Sequence, residues 1–590
     1  MNSPALQPLT EGFASLSAAL DGQRMMKHLE EFDRWTKHSG SPEELQSLKY
    51  IEHEMQAYGY KTTLILHDAY ISLPGHAAVV VGGESFRCIT HSFSRSSPAI
   101  GISSLLVYVG VGDDAGFAGK AVAGQIVVVD GIANPGVTRR ASRAGAAGQL
   151  HISPHQHLHE MCISPVWGNP THETVAELPL TVVLTVSQDS GAVIKSMMSA
   201  DSALNATLIA DVDTGWRKTP ILVAENASND EPFVLYSGHH DAWYRGVMDN
   251  GGANATMMEV ARLCALRRLQ WKRGLRVIFW SGHSHGRYSS SSWYAETHWE
   301  ELERRAVVHV NVDSTGGKGN TVVADTTAAA ELRAVAREAI ADQGHQNFTN
   351  RRMGRAGDQS FWGIGVPSIF GNMSEQPATD EPNASASVFG GGNRLGHGTG
   401  WWWHTPDDTL DKMDEQILVR DTRIYLQVVW RLLTDAVLPF NYAEHAEYLA
   451  DQLRTLQNLV GERFNLSTLI ERTDELARKT AQFNRAISTK QDIASVVNAN
   501  ETLIALARAL VPVDYSTGDR FGQDLAIGQE AYPALQPLKD LSAHLPGSDE
   551  ALFIDVAMRR ARNRVDFALR EALVAVDRGL SRLGSQQEEK

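Results

Sequence analysis

The alternation of apolar and polar positions divides the chain into four stretches. In the first, Leu29, Phe32 and Trp35, and then Leu45, Leu48, Ile51 and Met55, recur at three- and four-residue steps, the period of a buried helix face. The cluster Ser39-Gly40-Ser41-Pro42 interrupts that period, so residues 22–58 read as two helices. Two strand-like runs follow, at residues 62–66 and 77–81. From about 86 to 212, short β runs alternate with glycine turns. Residues 125–130 have the unbroken apolar character of a buried strand, and 141–148 have the small side chains of a helix packed closely against it. This stretch reads as a compact β-rich insert with its own core. Residues 216–440 alternate strand and helix patterns, the mark of a mostly parallel sheet covered on both faces. Beyond about 441 strand patterns vanish, while Leu449, Leu453, Leu456 and Val460, and later Leu569, Leu573 and Val576, keep helical spacing. The predicted fold class is α/β: a mostly parallel mixed sheet flanked by helices, built from residues 1–85 and 213–440. A β-rich insert occupies 86–212 and a helical bundle 441–590.

Composition changes this picture little. At 590 residues the chain exceeds one hydrophobic core, and 43% hydrophobic with 21% charged residues is ordinary globular usage. A formal net charge of −15 disfavours nucleic acid as a partner. Cys88, Cys162 and Cys264 are far apart and odd in number, so no disulfide framework or zinc knuckle is indicated. The first residues lack a basic region followed by an apolar core, and no apolar run approaches membrane-spanning length. The expectation is a cytoplasmic protein without membrane contact.

The chemistry gathers where the buried runs end. Residues 233–236 lead into His239, His240 and Asp241; residues 276–280 lead into His283, Ser284 and His285; residues 307–310 lead into Asp313. Open α/β sheets bind ligands beyond the carboxyl ends of their strands, so three such ends delivering His and Asp point to one site. A metal-binding imidazole needs its other ring nitrogen held, and Asp241 is placed to hold His239. Asp249 lies in a glycine-rich loop where a carboxylate can bridge two ions, and His404 sits in a Trp-Trp-Trp-His-Thr-Pro-Asp-Asp loop. Singly, each has a plainer reading: a strand-end His is usually a hydrogen-bonded core residue, and Asp407 or Asp408 a helix cap. Their ordered arrival at one sheet edge favours the metal.

These motifs together resemble the co-catalytic zinc exopeptidase family that includes glutamate carboxypeptidase II, bacterial aminopeptidases and the transferrin receptor. The matching pieces are residues 238–241, Asp249, 311–314, 357–361 with 365–367, and 404–410. The resemblance implies that residues 86–212 are a protease-associated insert and that the helical tail, with residues 438–442, forms a homodimer. It implies that His239, Asp249 and Asp313 hold one metal, and that Asp249 and His404 hold part of a second.

The chain departs from the family at its middle strand. The family pattern there is Trp-Asp-Ala-Glu-Glu, whose first Glu is the general base and second a ligand; here it is Trp280-Ser-Gly-His-Ser284. His283 stands at the base position and Ser284 at the ligand position. Trp403 replaces a tyrosine that the carboxypeptidase branch uses to polarise a carbonyl. With two carboxylates, Asp249 and Asp313, left against two divalent ions, the second ion position is weaker and richer in nitrogen. That suits zinc, iron, nickel or copper and disfavours magnesium or calcium; zinc is the expected ion, at one or two per chain, with iron, manganese, cobalt or nickel as the other candidates. His283 is then a replacement base, competent as a neutral imidazole near pH 7, or His283 or His285 becomes a ligand, or the second ion is lost and the site is mononuclear or empty. On an extended segment His283 and His285 share a face. Arg245, Arg287, Tyr288 and Trp403 are the expected substrate contacts; Arg351, Arg352 and Arg355 could grip a carboxylate, and the His151, His155, His157, His159 tract reads as solvated surface or lid, with metal binding the less favoured reading. The expected activity is metal-dependent hydrolysis of an amide, peptide or related C–N bond in a small molecule or short peptide. A lyase or isomerase on the same scaffold, or a non-catalytic dimeric scaffold, are the alternatives.

Overall fold

The computed structural model describes residues 7–228, 230–381, 384–387, 392–488, 490 and 492–585. The early helices are Gly22–Phe32 and Pro42–Ala57. Each starts on a side chain that accepts an otherwise orphaned backbone N–H: Asp21 from Arg24, and Ser41 from Glu44 with Pro42 at the first helical position. The runs at 62–66 and 77–81 are one strand, Lys61–Val81. It pairs antiparallel with Asn205–Asn226 from Lys61 opposite Glu225 to Val81 opposite Ala206, with an irregularity between Pro74 and Ala77. Proline and glycine there mark a bulge inside a strand, where a missing ladder hydrogen bond is tolerated. The small-residue helix is Pro135–Arg143, capped by Asn134; Gly145, at φ +74°, turns the chain, and Gly148 already opens the next strand.

Three strands set the site. Gly274–Trp280 and Ala306–Asn311 flank Phe233–His239, both parallel to it, and Ser368–Ile369 adds a further parallel edge. All these carboxyl ends lie on one rim. The antiparallel strand Asn205–Asn226 joins on the other side and carries the sheet on into Ile102–Tyr108, Ile126–Asp130, Gly148–Ile152 and Val182–Val186. The central runs are apolar at every position because both faces are covered. Val234, Tyr236, Val277, Phe279, Val308 and Val310 enter one hydrophobic cluster, while Phe233, Leu235, Ile278 and Trp280 enter another with Phe361 and Val366.

The last third is helical: Tyr442–Val460, Ser467–Ile487, Ile493–Tyr515 and Asp549–Ser585. Leu449, Leu503 and Leu569 belong to the same cluster as Val234 and Tyr236, so the tail packs as a continuation of the main core. Contrary to the reading of the apolar runs, the 23-residue helix Ile493–Tyr515 has the length and apolarity of a membrane span. Its Leu503, Leu506 and Leu510 are buried within the protein. The connection after it returns toward the sheet rim, where the Ala526 N–H donates to the Pro165 carbonyl at 2.7 Å.

Candidate metal centre

Four predicted ligands converge on the rim. His239 ends its strand; Asp249 lies in the turn before helix Ala253–Ala265; Asp313 follows its strand by two residues; His404 arrives on a distant loop. His239 Nε2 lies 3.3 Å from Asp249 Oδ1 and 3.8 Å from Asp313 Oδ1, and His404 Nε2 lies 3.1 Å from Asp249 Oδ2. Asp249 thus faces two imidazoles through separate oxygens, the arrangement of a bridging carboxylate. The other ring nitrogens are fixed: His239 Nδ1 donates to the Asp241 carbonyl at 2.7 Å, and His404 Nδ1 to the Glu160 carbonyl at 2.6 Å. Both Nε2 atoms therefore present lone pairs. His239 Nε2 and Asp249 Oδ1 are buried without a hydrogen-bond partner, which a cation between them would supply.

Charge at the site supports the same reading. Burial alone would lower the His239 pKa, yet the Asp249 and Asp313 carboxylates raise it well above its ordinary value. Burial would raise Asp249, but His239 and His404 hold it well below the carboxylate range. The cluster demands a positive charge, which a proton or a metal ion can meet. Asp408, one of the two residues that read as a cap, instead accepts the N–H groups of Met248 and Asp249 at 2.8 and 3.0 Å. It fixes the backbone of the bridging residue.

The Asp241 carboxylate does not reach His239 as expected; it is 3.8 Å from Nδ1 and the backbone carbonyl takes that bond. The carboxylate accepts instead from the N–H groups of His283 and Ser284 and from Ser39 Oγ, anchoring the departing loop. His283 stacks on His239, ring centroids 3.7 Å apart and planes 12° from parallel. Its Nδ1 lies 2.8 Å from Asp358 Oδ2, and Ser291 Oγ donates to the other Asp358 oxygen at 2.8 Å. His283 Nε2 is therefore also a free lone pair. His239, His283 and Asp313 offer nitrogen and oxygen atoms within 4.8 Å of one another. Parallel stacked rings nevertheless share one ion poorly, because an ion equidistant from both would sit roughly half the stacking distance out of each ring plane.

Around these groups lies a cavity of about 530 Å³, lined by Trp243, Asp249, His283, Ser284, Asp313, Trp403 and His404 among others. Arg287 and Tyr288 also line it. Two expectations fail. His285 is directed away, its Nδ1 3.0 Å from Ser39 Oγ and its ring 4.2 Å from Trp243, because residues 281–288 turn instead of extending and the two-residue alternation does not apply. Arg245 leaves the cavity to meet Asp33 at 3.3 Å, half exposed; Gly246, at φ +50°, turns the chain between it and Asp249. Of the other arginines, Arg352 pairs with Asp514 and only Arg355 lines the cavity, buried over the Trp167 ring at 4.2 Å. The sequence reading missed Asp358 as the partner of His283. It also missed the cavity walls from the insert and tail, Asn134, Cys162, Ala526 and Gly528.

Residues 221–429 match peptidase family M28. The chain is 25% identical over 413 residues to the probable glutamate carboxypeptidase LAMP1 of Arabidopsis thaliana, covering 64% of this chain and 57% of the plant protein. It is 23% identical over 335 residues to the aminopeptidase NAALADL1 of Rattus norvegicus, covering 49% of this chain and 42% of the rat protein. The chain therefore spans about half the length of these relatives. Its fold is similar to that of a peptidase M28 precursor from Shewanella amazonensis SB2B, with TM-score 0.57 at 17% identity over 72% of this chain and 97% of that one. It is also similar to a zinc aminopeptidase from Bacillus subtilis, with TM-score 0.52 at 16% identity over 70% and 96%. These matches support the resemblance to zinc exopeptidases, and the α/β sheet flanked by helices is the fold observed.

Proposed function

We propose that this zinc exopeptidase-like chain, matching peptidase family M28 over residues 221–429, is a metal-dependent hydrolase of a C–N amide bond in a small or short-peptide substrate. The observation that carries the proposal is Asp249 set between His239 and His404 on the wall of a cavity that also holds His283. A divalent ion of the zinc type, held by His239, Asp249, Asp313 and His404, would supply the Lewis acidity that polarises the scissile carbonyl. His283 accepts the proton of the attacking water at Nε2 and returns it to the leaving nitrogen. Asp358 keeps the His283 proton on Nδ1 and stabilises the imidazolium that forms, as a carboxylate does behind other catalytic imidazoles.

Arg287 and Arg355 give the substrate class. Both line the cavity, and among the described residues neither is ion-paired; their guanidinium groups donate to the Ala526 and Asp524 carbonyls. Two cations left without carboxylates on the cavity wall fit a substrate that carries one. Hydrolysis in ¹⁸O-enriched water, on N-acyl amino acids and dipeptides, tests the reading. Chelation should abolish amine release, zinc should restore it, and the acid product should carry the label; an unlabelled product would instead favour a lyase. Lacking the glutamate base, the chain should act poorly on simple aminoacyl anilides. The tail supports a homodimer: Phe553, Phe567 and Val574 stand exposed on the helix Asp549–Ser585. Sedimentation of Phe567→Glu beside the unaltered protein checks it, the variant being expected as a monomer.

A further inference from the structure

Behind the wall that carries His404, the insert and the 396–398 loop bring three more imidazoles together. His155, His159 and His397 are 1%, 1% and 4% exposed. Their ring centroids are 4.8, 5.0 and 5.2 Å apart in pairs, and one ring nitrogen from each falls within a 4.8 Å span. His151, from the same tract, is elsewhere, bonded to Gly131 and Gln149.

The hydrogen bonds leave nitrogen lone pairs facing inward. His159 Nδ1 donates to the Trp403 carbonyl, so its Nε2 carries a lone pair, which accepts the Nε2 proton of His155 at 3.2 Å until an ion displaces that proton. His397 Nδ1 faces the Ala386 carbonyl at 3.3 Å and Ser385 Oγ at 3.0 Å, and its Nε2 is buried with no hydrogen-bond partner. That orphaned nitrogen points to an absent ligand.

We infer that His155, His159 and His397 form a further binding site for a borderline transition-metal dication, separate from the strand-end centre. Metal–nitrogen bonds of about 2.0–2.1 Å on a tetrahedral ion put two ligand nitrogens about 3.3 Å apart, which the His155–His159 spacing already meets. A backbone carbonyl on the far nitrogen, present for His159 and His397, is the usual partner of a ligating imidazole. Burial keeps the three rings neutral, pushing His155 down to about 3, His397 to about 4 and His159 well below its ordinary value. A set made of imidazoles suits zinc, cobalt, nickel or copper and rejects magnesium and calcium. The cost falls on His155. Its Nδ1 accepts the His157 N–H at 3.2 Å, and ligation at Nε2 requires the proton on Nδ1, where Ser153 Oγ at 3.5 Å is the nearest acceptor.

The site is positioned to act on the first one. Trp403, whose carbonyl His159 holds, stacks on His404 at 3.7 Å, and the Glu160 carbonyl fixes His404 Nδ1. An ion behind them would brace a ligand of the strand-end centre without touching substrate.

The test is equilibrium dialysis of the whole protein against micromolar zinc or cobalt, with ions counted per chain. His397→Gln and His155→Gln should each bind one ion fewer than the unaltered chain, while Asp249→Asn keeps that ion. Equal counts in the unaltered chain and in folded His397→Gln would overturn the proposal. Should both variants fail to fold, anomalous diffraction from unaltered crystals grown with zinc decides it. A peak within bonding distance of the three imidazoles supports the site; a peak at His239 and Asp249 with none here refutes it.

Discussion

Two clusters of histidine lie close together in this molecule and differ in one ingredient. The strand-end cluster carries carboxylates, and Asp249 and Asp313 pull His239 well above its ordinary pKa. The chamber of His155, His159 and His397 is grouped without one, and burial pushes all three down. Both are poised for a cation, for opposite electrostatic reasons. The first attracts positive charge and binds an ion or a proton; the second repels protons and offers lone pairs. A centre meant for chemistry needs the first kind of field, which holds an ion strongly and leaves open coordination for substrate.

The sharpest way to break this comparison is to remove the bridging charge. Asp249→Asn should lose the strand-end ion and reduce hydrolysis to background, measured as metal per chain and amine release. Retention of both would mean the site is not carboxylate-driven. The next effect separates catalysis from metal binding. His283→Ala should lower kcat by about 10²–10⁴-fold with the metal count unchanged, as expected for loss of a general base. Loss of an ion in that variant would make His283 a ligand after all. Asp358→Asn should cut kcat in the same direction and distort the acid limb of the pH–rate profile, because the amide cannot enforce the Nδ1 proton.

The sequence disclosed the first cluster better than the second, and the reason is geometric. His239 and Asp313 end or follow buried apolar strands, so sheet topology alone aims them at one rim. His283 could be placed at the rim, but its partner Asp358 lies 75 residues away in an aperiodic loop. His285 was misassigned because alternation was applied to a segment that turns, with Gly282 at φ +65° and Arg287 at φ +48°. Arg245 shows that closeness along the chain does not fix direction. The chamber was half visible: His155 and His159 stand in an obvious tract, but His397 joins from more than two hundred residues on, with no pattern linking them.

A smaller effect concerns the substrate. Arg355→Gln should raise KM for a carboxylate-bearing substrate by about 10–100-fold, the value of one charged hydrogen-bond partner. It should leave KM for the matching amide nearly unchanged. Equal effects on both would move Arg355 from recognition to packing, since it also covers the Trp167 ring.

The smallest effect per residue concerns acid, and it extends the chamber's logic to the rest of the protein. Burial lowers His28, His67 and His151 to about 4, and His91 and His309 to about 3. Each has a folded pKa below the unfolded value of about 6.5. Between those limits the unfolded chain binds protons that the folded chain refuses, so stability falls as pH falls. Each such histidine contributes up to about 1.4 kcal/mol per pH unit, starting near pH 6.5 and ending at its folded pKa. Five acting together should unfold the protein cooperatively on the acid side, well above the range where carboxylates alone would do so. Denaturant midpoints measured from pH 7.5 down to 5 check this, and His309→Gln, if it folds, should flatten the slope. A midpoint independent of pH across that window would show that these rings take up protons in place. The chamber would then lose its claim to be a reservoir of neutral nitrogen.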